Sequence, residues 1–372
     1  MKPNLWLAVT LTSLLIQGAA FCELTHDEKN LEDCWNLIDR GQFKSALTVL
    51  KETSNTSEAQ AEKQMMSGVV YGLIGDQKHS TACYKRAIKQ SAALSGNQSA
   101  RAKSTRAFTL AKLAYADFIY GYDKNPSRKF QEAETLFESA INDEPQSEEI
   151  AARYGNSLLL WGSYLDQTGA ATAAQEKYDK AIELSRLNTK NSSRARATSA
   201  INAATAYRKK ARLDYLSGRK NLSAKNFEQA MNALHNMSIA GDQNSSDRLA
   251  QAEAEVLLWR GRYPTNSDQS KNDYQSSIEK CDLLLARPLE NRNYLCFDTK
   301  GQALDGIARI ESQAKNFLTA RQFYEKSVAN YDLAISTAPE RKQFIQSRKQ
   351  SSSELKYLNK FIKYTSSLKP EY

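Results

Sequence analysis

The sequence predicts an all-α chain folded as a solenoid of helical hairpins, on three observations. Small and aromatic residues recur in one order along the chain: Gly, an aromatic or Leu three residues on, a second Gly, a small residue, then aromatic-x-x-Ala. Trp161, Gly162, Leu165, Gly169, Ala174, Tyr178 and Ala181 make the clearest copy. Apolar positions between these markers follow the helical period, and no run alternates β-branched residues as a strand would. Gly and Pro are scarce, 15 and 7 in 372 residues, which argues against a turn-rich β architecture. In a helical hairpin the roles are physical: small residues let two backbones approach, rings fill the gap between helices, and a turn Gly accepts positive φ.

The register can be followed from the N-terminal side. Gly41, Phe43, Ala46 and Leu50 form a first copy; Gly75, Gln77, Ser80 and Tyr84 repeat it about 34 residues later, with Gly68, Tyr71 and Ala87 completing the second. On these residues the chain resembles the tetratricopeptide repeat family, which implies a right-handed solenoid of about six to seven hairpins. A third copy has Leu113, Ala114 and Gly121 on its first helix and Phe130, Ala133, Phe137, Ala140 and Pro145 on its second. It is about seven residues too long, or about two helical turns. The same surplus separates Tyr207 from Phe227 and Ala230 in the fifth copy. It returns in the last, where Leu304, Ile307 and Ala308 precede Tyr331, Ala334 and Pro339. Between Leu249 and Pro288 the pattern is helical, through Leu257, Leu258, Trp259, Tyr274, Ile278, Cys281 and Leu284, but its small-residue positions look unfilled. That stretch reads as a degenerate sixth repeat. The solenoid is expected over 21–339. Residues 340–372, with Leu355, Leu358, Phe361 and Ile362 among many Lys, read as an amphipathic capping helix and tail.

Residues 1–20 are a different material. Lys2 supplies a positive start, Leu5 to Ile16 an apolar run, and Gly18-Ala19-Ala20 a small-residue cleavage site, together the pattern of a secretory signal. The mature chain is expected to be secreted or periplasmic, without a transmembrane segment. Cys22 admits a rival reading as a lipid-modified anchor, but Phe21 stands where such signals carry a small residue. Export permits disulfides, and Cys281 with Cys296 flanks the loop containing Pro288, which makes them a candidate pair; the alternative is two buried small hydrophobes. Cys22 with Cys34 is a weaker pair, and Cys83 beside Tyr84 reads as core. Six sequons stand at Asn55, Asn97, Asn191, Asn221, Asn236 and Asn244, glycan acceptors in a eukaryotic secretory pathway and chance occurrences in a bacterium.

Catalytic chemistry has no visible carrier. The three His lie outside any His-Glu-x-x-His arrangement, and the chain lacks a phosphate loop, a dinucleotide fingerprint, a Gly-x-Ser-x-Gly elbow and any CxxC. No enzyme activity, cofactor or metal is expected. The formal charge of +9 collects at Arg194, Arg196, Arg208, Lys209, Lys210, Arg212, Arg219 and Lys220, and again from Arg341 through Lys363. Such groups read either as solvated faces or as a surface for an acidic peptide, an anionic polymer or lipid headgroups; no nucleic-acid motif accompanies them.

The resemblance implies a protein-binding scaffold that takes a peptide or acidic partner on the concave face of its first helices. Carried over residue by residue, that face includes Lys112 and Tyr115, then Asn156, Ser163 and Asp166, then Asn202, Thr205 and Arg208, and finally Arg309. Asn202 would fix a peptide backbone, while Lys112, Arg208 and Arg309 would favour acidic side chains. The family's carboxylate clamp is not reproduced, since the second copy offers Met65, Met66 and Val69 instead. The alternative function is a lipid-anchored assembly factor of a cell-envelope complex, which requires modification of Cys22.

Overall fold

A computed structural model describes residues 26–367 apart from 53–56, 94–98, 124, 187–191, 238–241, 265 and 289–292. The signal segment, Cys22, Asn55, Asn97 and Asn191 lie outside the described residues. Within them the chain is α-helical, with no strand. Seven hairpins follow one another: α1 (His26–Asp39) with α2 (Phe43–Glu52), α3 (Ser57–Ile74) with α4 (Gln77–Ala93), and α5 (Ala100–Tyr120) with α6 (Ser127–Asp143). Next come α7 (Glu148–Gln167) with α8 (Ala171–Leu184), α9 (Ser193–Leu216) with α10 (Lys220–His235), α11 (Gln243–Arg262) with α12 (Ser267–Leu285), and α13 (Cys296–Gln313) with α14 (Phe317–Thr337). A last helix, α15 (Lys342–Ser367), packs on α14. First helices of successive hairpins lie side by side, so the fold is a TPR-like solenoid.

Local chemistry sets the helix ends. Ser99, Ser192, Asp242 and Asn266 cap α5, α9, α11 and α12 by accepting a backbone N–H three residues on. At the hairpin turns Gly41, Gly75, Gly121, Gly169 and Gly218 all have positive φ; in the seventh hairpin Lys315 takes that conformation, at φ 64°.

Inside the hairpins, a ring on the second helix lies on a glycine of the first. A Cβ on Gly68 would sit 2.5 Å from the Tyr84 ring, and one on Gly162 would sit 2.4 Å from that of Tyr178. A serine one turn before the ring adds a hydrogen bond across the same seam: Ser80 to Gly68 O (2.7 Å), Ser270 to Gly261 O (2.6 Å) and Ser327 to Gly301 O (2.9 Å). The sixth hairpin therefore has its small residue after all. Gly261, and Gly306 of the next hairpin, both face Tyr274, which corrects the expectation of a degenerate repeat. Its serine stands nine residues from its glycine, against twelve in the second hairpin, so the pattern is compressed rather than missing.

The lengthened hairpins have a structural reason too. Their surplus of about two turns returns the chain to the same face. Ala107 and Ala114 on α5 share one core with Phe130 and Phe137 on α6, and Ala204 and Ala211 on α9 share another with Phe227 and Leu234 on α10. Each long hairpin repeats the small-residue-against-apolar contact in two tiers. Phe137, Tyr178 and Trp161 are buried, as the register requires.

The solenoid bends until its ends meet. Tyr294 N–H donates to Arg40 O (2.9 Å), Gly41 packs against Leu295, and Gly75 lies against the backbone of Glu340 and Arg341. Ala334, Ala338 and Phe344 accordingly join the apolar core of the first hairpins. At the other side of the last hairpin Leu358 of α15 is buried with Ala308, Ala320 and Tyr324, and Phe361 stacks edge-on to Phe317.

Candidate functional site

Bending the stack encloses its concave side in a cavity of about 520 Å³. Its wall is made by the inner faces of α1, α3, α5, α7, α9 and α11, with Leu295 closing it where the ends meet. The wall carries two buried charge networks and an apolar stretch.

Glu62 of α3 centres the first network. It accepts from Arg101 of α5 (2.9 Å) and from Arg153 of α7, while Arg153 also donates to Thr105 (2.9 Å) and Glu149 (2.5 Å). Burial alone would raise the Glu62 carboxyl; the two guanidiniums reverse that and hold it below the ordinary carboxylate range. The second network is centred on Asp39 of α1, paired with Arg248 (2.9 Å) and Arg194 (3.7 Å). Arg248 continues to Thr198 Oγ1 (2.9 Å), and the Arg194 guanidinium lies on the Trp35 ring, 4.6 Å from its centre. Helix α1 is thereby tied across the cavity to α9 and α11.

The apolar stretch is formed by Val69, Leu73, Phe108, Ile201 and Leu295. Two polar side chains face the same cavity. Lys112 rests on the Phe108 ring (4.9 Å) without a carboxylate partner among the described residues, and burial pushes its ammonium down to about 8. Asn156 presents an amide oxygen that is buried and has no hydrogen-bond partner among the described residues.

Of the nine residues expected on the concave face, Lys112 and Asn156 line the cavity. The others do not. Asp166 pairs with Arg212 (2.7 Å), Arg208 with Glu255 (3.5 Å) while lying on the Trp259 ring, and Tyr115 takes a hydrogen bond from Gln167 (3.4 Å). Ser163 is buried and donates to Leu159 O of its own helix (2.6 Å). Asn202 is buried as well: its amide donates to Ala152 O (2.8 Å) and packs on Gly155, so it holds α9 to α7 rather than offering a peptide ladder. Thr205 is half-buried on α9 and Arg309 exposed on α13, both outside the cavity wall.

Much of the basic cluster between Arg194 and Lys220 is paired within the protein. Arg194, Arg208, Lys210, Arg212 and Arg219 are matched by Asp39, Glu255, Asp179, Asp166 and Asp214. Cys281 and Cys296 sit together, fully buried with Ala254 and Leu284, as either a bridged pair or two small buried hydrophobes would; the structure holds them as thiols. As thiols they touch, and that contact with burial raises Cys296 well above the ordinary thiol range.

Glu62, Arg101, Arg153, Arg248 and Trp35 were not singled out from the sequence. Their partners are too distant along the chain, 91 residues for Glu62 and Arg153, for any local pattern to join them.

No protein-family model and no curated protein sequence matches the chain. Among solved structures, the human IFIT1 dimer with m7Gppp-AAAA is 12% identical, covers 94% of this chain and 75% of its own, and gives a TM-score of 0.46. Nro1, described as a nuclear import adaptor, is 11% identical over 69% of this chain and 88% of its own, with a TM-score of 0.36. Yeast Tom70 is 12% identical over 91% and 99%, with a TM-score of 0.16. These likenesses carry no argument about what the cavity binds.

Proposed function

We propose that the protein is a non-catalytic binding scaffold acting outside the cytoplasm, which holds a peptide or acidic partner against the inner wall of its bent solenoid. One observation carries this reading: six first helices converge on one cavity, where the Lys112 ammonium and the Asn156 amide oxygen have no carboxylate or hydrogen-bond partner among the described residues. A volume of about 520 Å³ falls in the range of ordinary ligand pockets, about 300–1,000 Å³. It takes a few residues of a partner, not a long peptide. No helix among the described residues is long and apolar enough to cross a membrane.

The test is a pull-down from the exported proteome with wild type and with a Lys112→Ala, Asn156→Ala double variant whose helicity and melting match wild type. Loss of the recovered partner is expected; unchanged recovery removes the cavity as the binding site. Asn202→Ala is a poor probe, because it loosens α7 from α9. Expression with residues 1–20 intact tests the location: mature protein is expected outside the cytoplasm and beginning at Phe21. Cytoplasmic protein still beginning at Met1 overturns export.

A further inference from the structure

Resting on that reading of the cavity, we infer that its occupant is an apolar group carrying a single acidic head, with the head on Lys112 and the apolar part against Phe108, Val69, Leu73 and Ile201. The charges on the wall discriminate. Arg101, Arg153, Arg194 and Arg248 all line the cavity and all have a carboxylate of the protein in contact, Glu62 for the first two and Asp39 for the others. Lys112 is the fifth basic group on the wall and has only a ring beneath it among the described residues. A cation in an apolar setting that the fold does not neutralise is satisfied by an anion from outside. The wall holds five basic groups and five carboxylates, Glu32, Asp39, Glu62, Glu149 and Glu255, and Lys112 alone among the basic groups has no carboxylate contact among the described residues, so one negative charge from outside is matched and a second finds no free cation.

The apolar half of the site has the same logic. The wall carries Phe108 beneath Lys112 and, elsewhere on the same cavity, Val69, Leu73, Ile201 and Leu295, side chains that gain from covering hydrocarbon and gain nothing from a second polar group. Asn156, whose amide oxygen has no hydrogen-bond partner among the described residues, also lines the cavity and can take an N–H or O–H from the occupant. An occupant of this chemistry is either a free amphipathic acid or an acidic residue flanked by apolar ones on a peptide.

The experiment uses two probes with the same aromatic body, anilinonaphthalene sulfonate and the uncharged N-phenylnaphthylamine, titrated calorimetrically into the full chain and into Lys112→Met. The sulfonate is expected to bind wild type and to lose about ten- to a hundredfold in affinity in Lys112→Met, the value of a charge-assisted hydrogen bond. The neutral probe is expected to be indifferent to the substitution. Equal binding of the sulfonate by wild type and a folded Lys112→Met overturns the acidic head and leaves the cavity reading standing; absence of binding by either probe overturns the inference outright. Displacement of the sulfonate by octanoate but not by capped Leu-Asp-Leu supports a free acid, the reverse supports a peptide, and displacement by neither overturns both.

Discussion

The seams inside the hairpins and the inner wall of the ring share the same first helices, yet they are held by opposite means. At a seam, Tyr84 covers Gly68 and Ser80 bonds to Gly68 O within one hairpin, so contact is short in sequence and made of shape. At the wall, Glu62, Arg101 and Arg153 come from three successive hairpins, and the contact is made of charge. Apolar packing specifies how each hairpin closes. The wall instead depends on how hairpins are rotated against one another, since only that rotation brings its partners within reach. A seam consequently depends on its own hairpin and at most the next one, as where Gly306 faces Tyr274, whereas a wall residue such as Glu62 is satisfied only if three hairpins are all in place.

The largest effects should separate the two. Phe137 is fully buried and stacks on Tyr154 with ring centres 4.9 Å apart. Phe137→Ala is expected to cost about 3–5 kcal/mol, with hydrogen exchange accelerated in α6 and its neighbouring helices but not in α12 or α13. Uniform acceleration along the whole chain would show that ring closure couples the hairpins and that the seams are not independent. Glu62→Gln is expected to cost about 3 kcal/mol, because it removes the buried charge shared by Arg101 and Arg153 and leaves Arg153 only the exposed Glu149 as a carboxylate partner. Exchange should then rise together in α3, α5 and α7. Protection lost from α3 alone would make the wall no more cooperative than a seam.

That contrast also explains what could be read from the sequence. The fold was legible because Gly162 and Tyr178, or Gly68 and Tyr84, lie close enough along the chain for spacing to reveal their contact. Even Gly261 and Tyr274 were legible in principle and escaped only because that hairpin compresses the register. At the site the signal ran out. Lys112 and Asn156 fall on the cavity wall because they occupy a helical face whose position the repeat fixes. Asn202 and Ser163 sit on first helices as well, but a one-residue rotation of that face turns a groove residue into a packing residue, and the pattern does not resolve one residue. The closure that makes the cavity rests on Tyr294 meeting Arg40 and Glu340 meeting Gly75, contacts between opposite ends of the chain with no local signature.

A smaller effect tests the place where the ends approach. Burial raises the Asp298 carboxyl of α13 to about 6, against the opposing fields of Arg341 and Arg262, the hydrogen bond from Gln302 and the reinforcing charge of Glu255. A carboxyl raised in the folded state makes its full contribution below its unfolded value near 3.8 and loses it as pH rises through about 6. Wild type should therefore lose about 2 kcal/mol of stability between about pH 4 and 7 from this group. Asp298→Asn stays neutral and keeps an acceptor for Gln302, so its urea midpoint should lack that decline. Parallel pH profiles for the two proteins would mean that the carboxyl is solvated and the ends do not press on it.

The smallest effect compares two turns. Gly218 has φ 78° with nothing within 4 Å of where a Cβ would lie, while Lys315 holds φ 64° in the turn of the seventh hairpin. Left-handed backbone costs an L-residue about 1–2 kcal/mol, and Lys315→Gly removes that strain while giving back about 0.4–1 kcal/mol through the freer unfolded chain. A net gain of about 0.5 kcal/mol is expected in the melting of the last hairpin. Gly218→Lys should lose a similar amount in the fifth. Both turns are exposed and the Lys315 side chain lies in solvent, so neither swap disturbs a seam or the wall. If Lys315→Gly destabilises the protein instead, the lysine contributes more than its backbone conformation, and the seventh turn is not equivalent to the glycine turns before it.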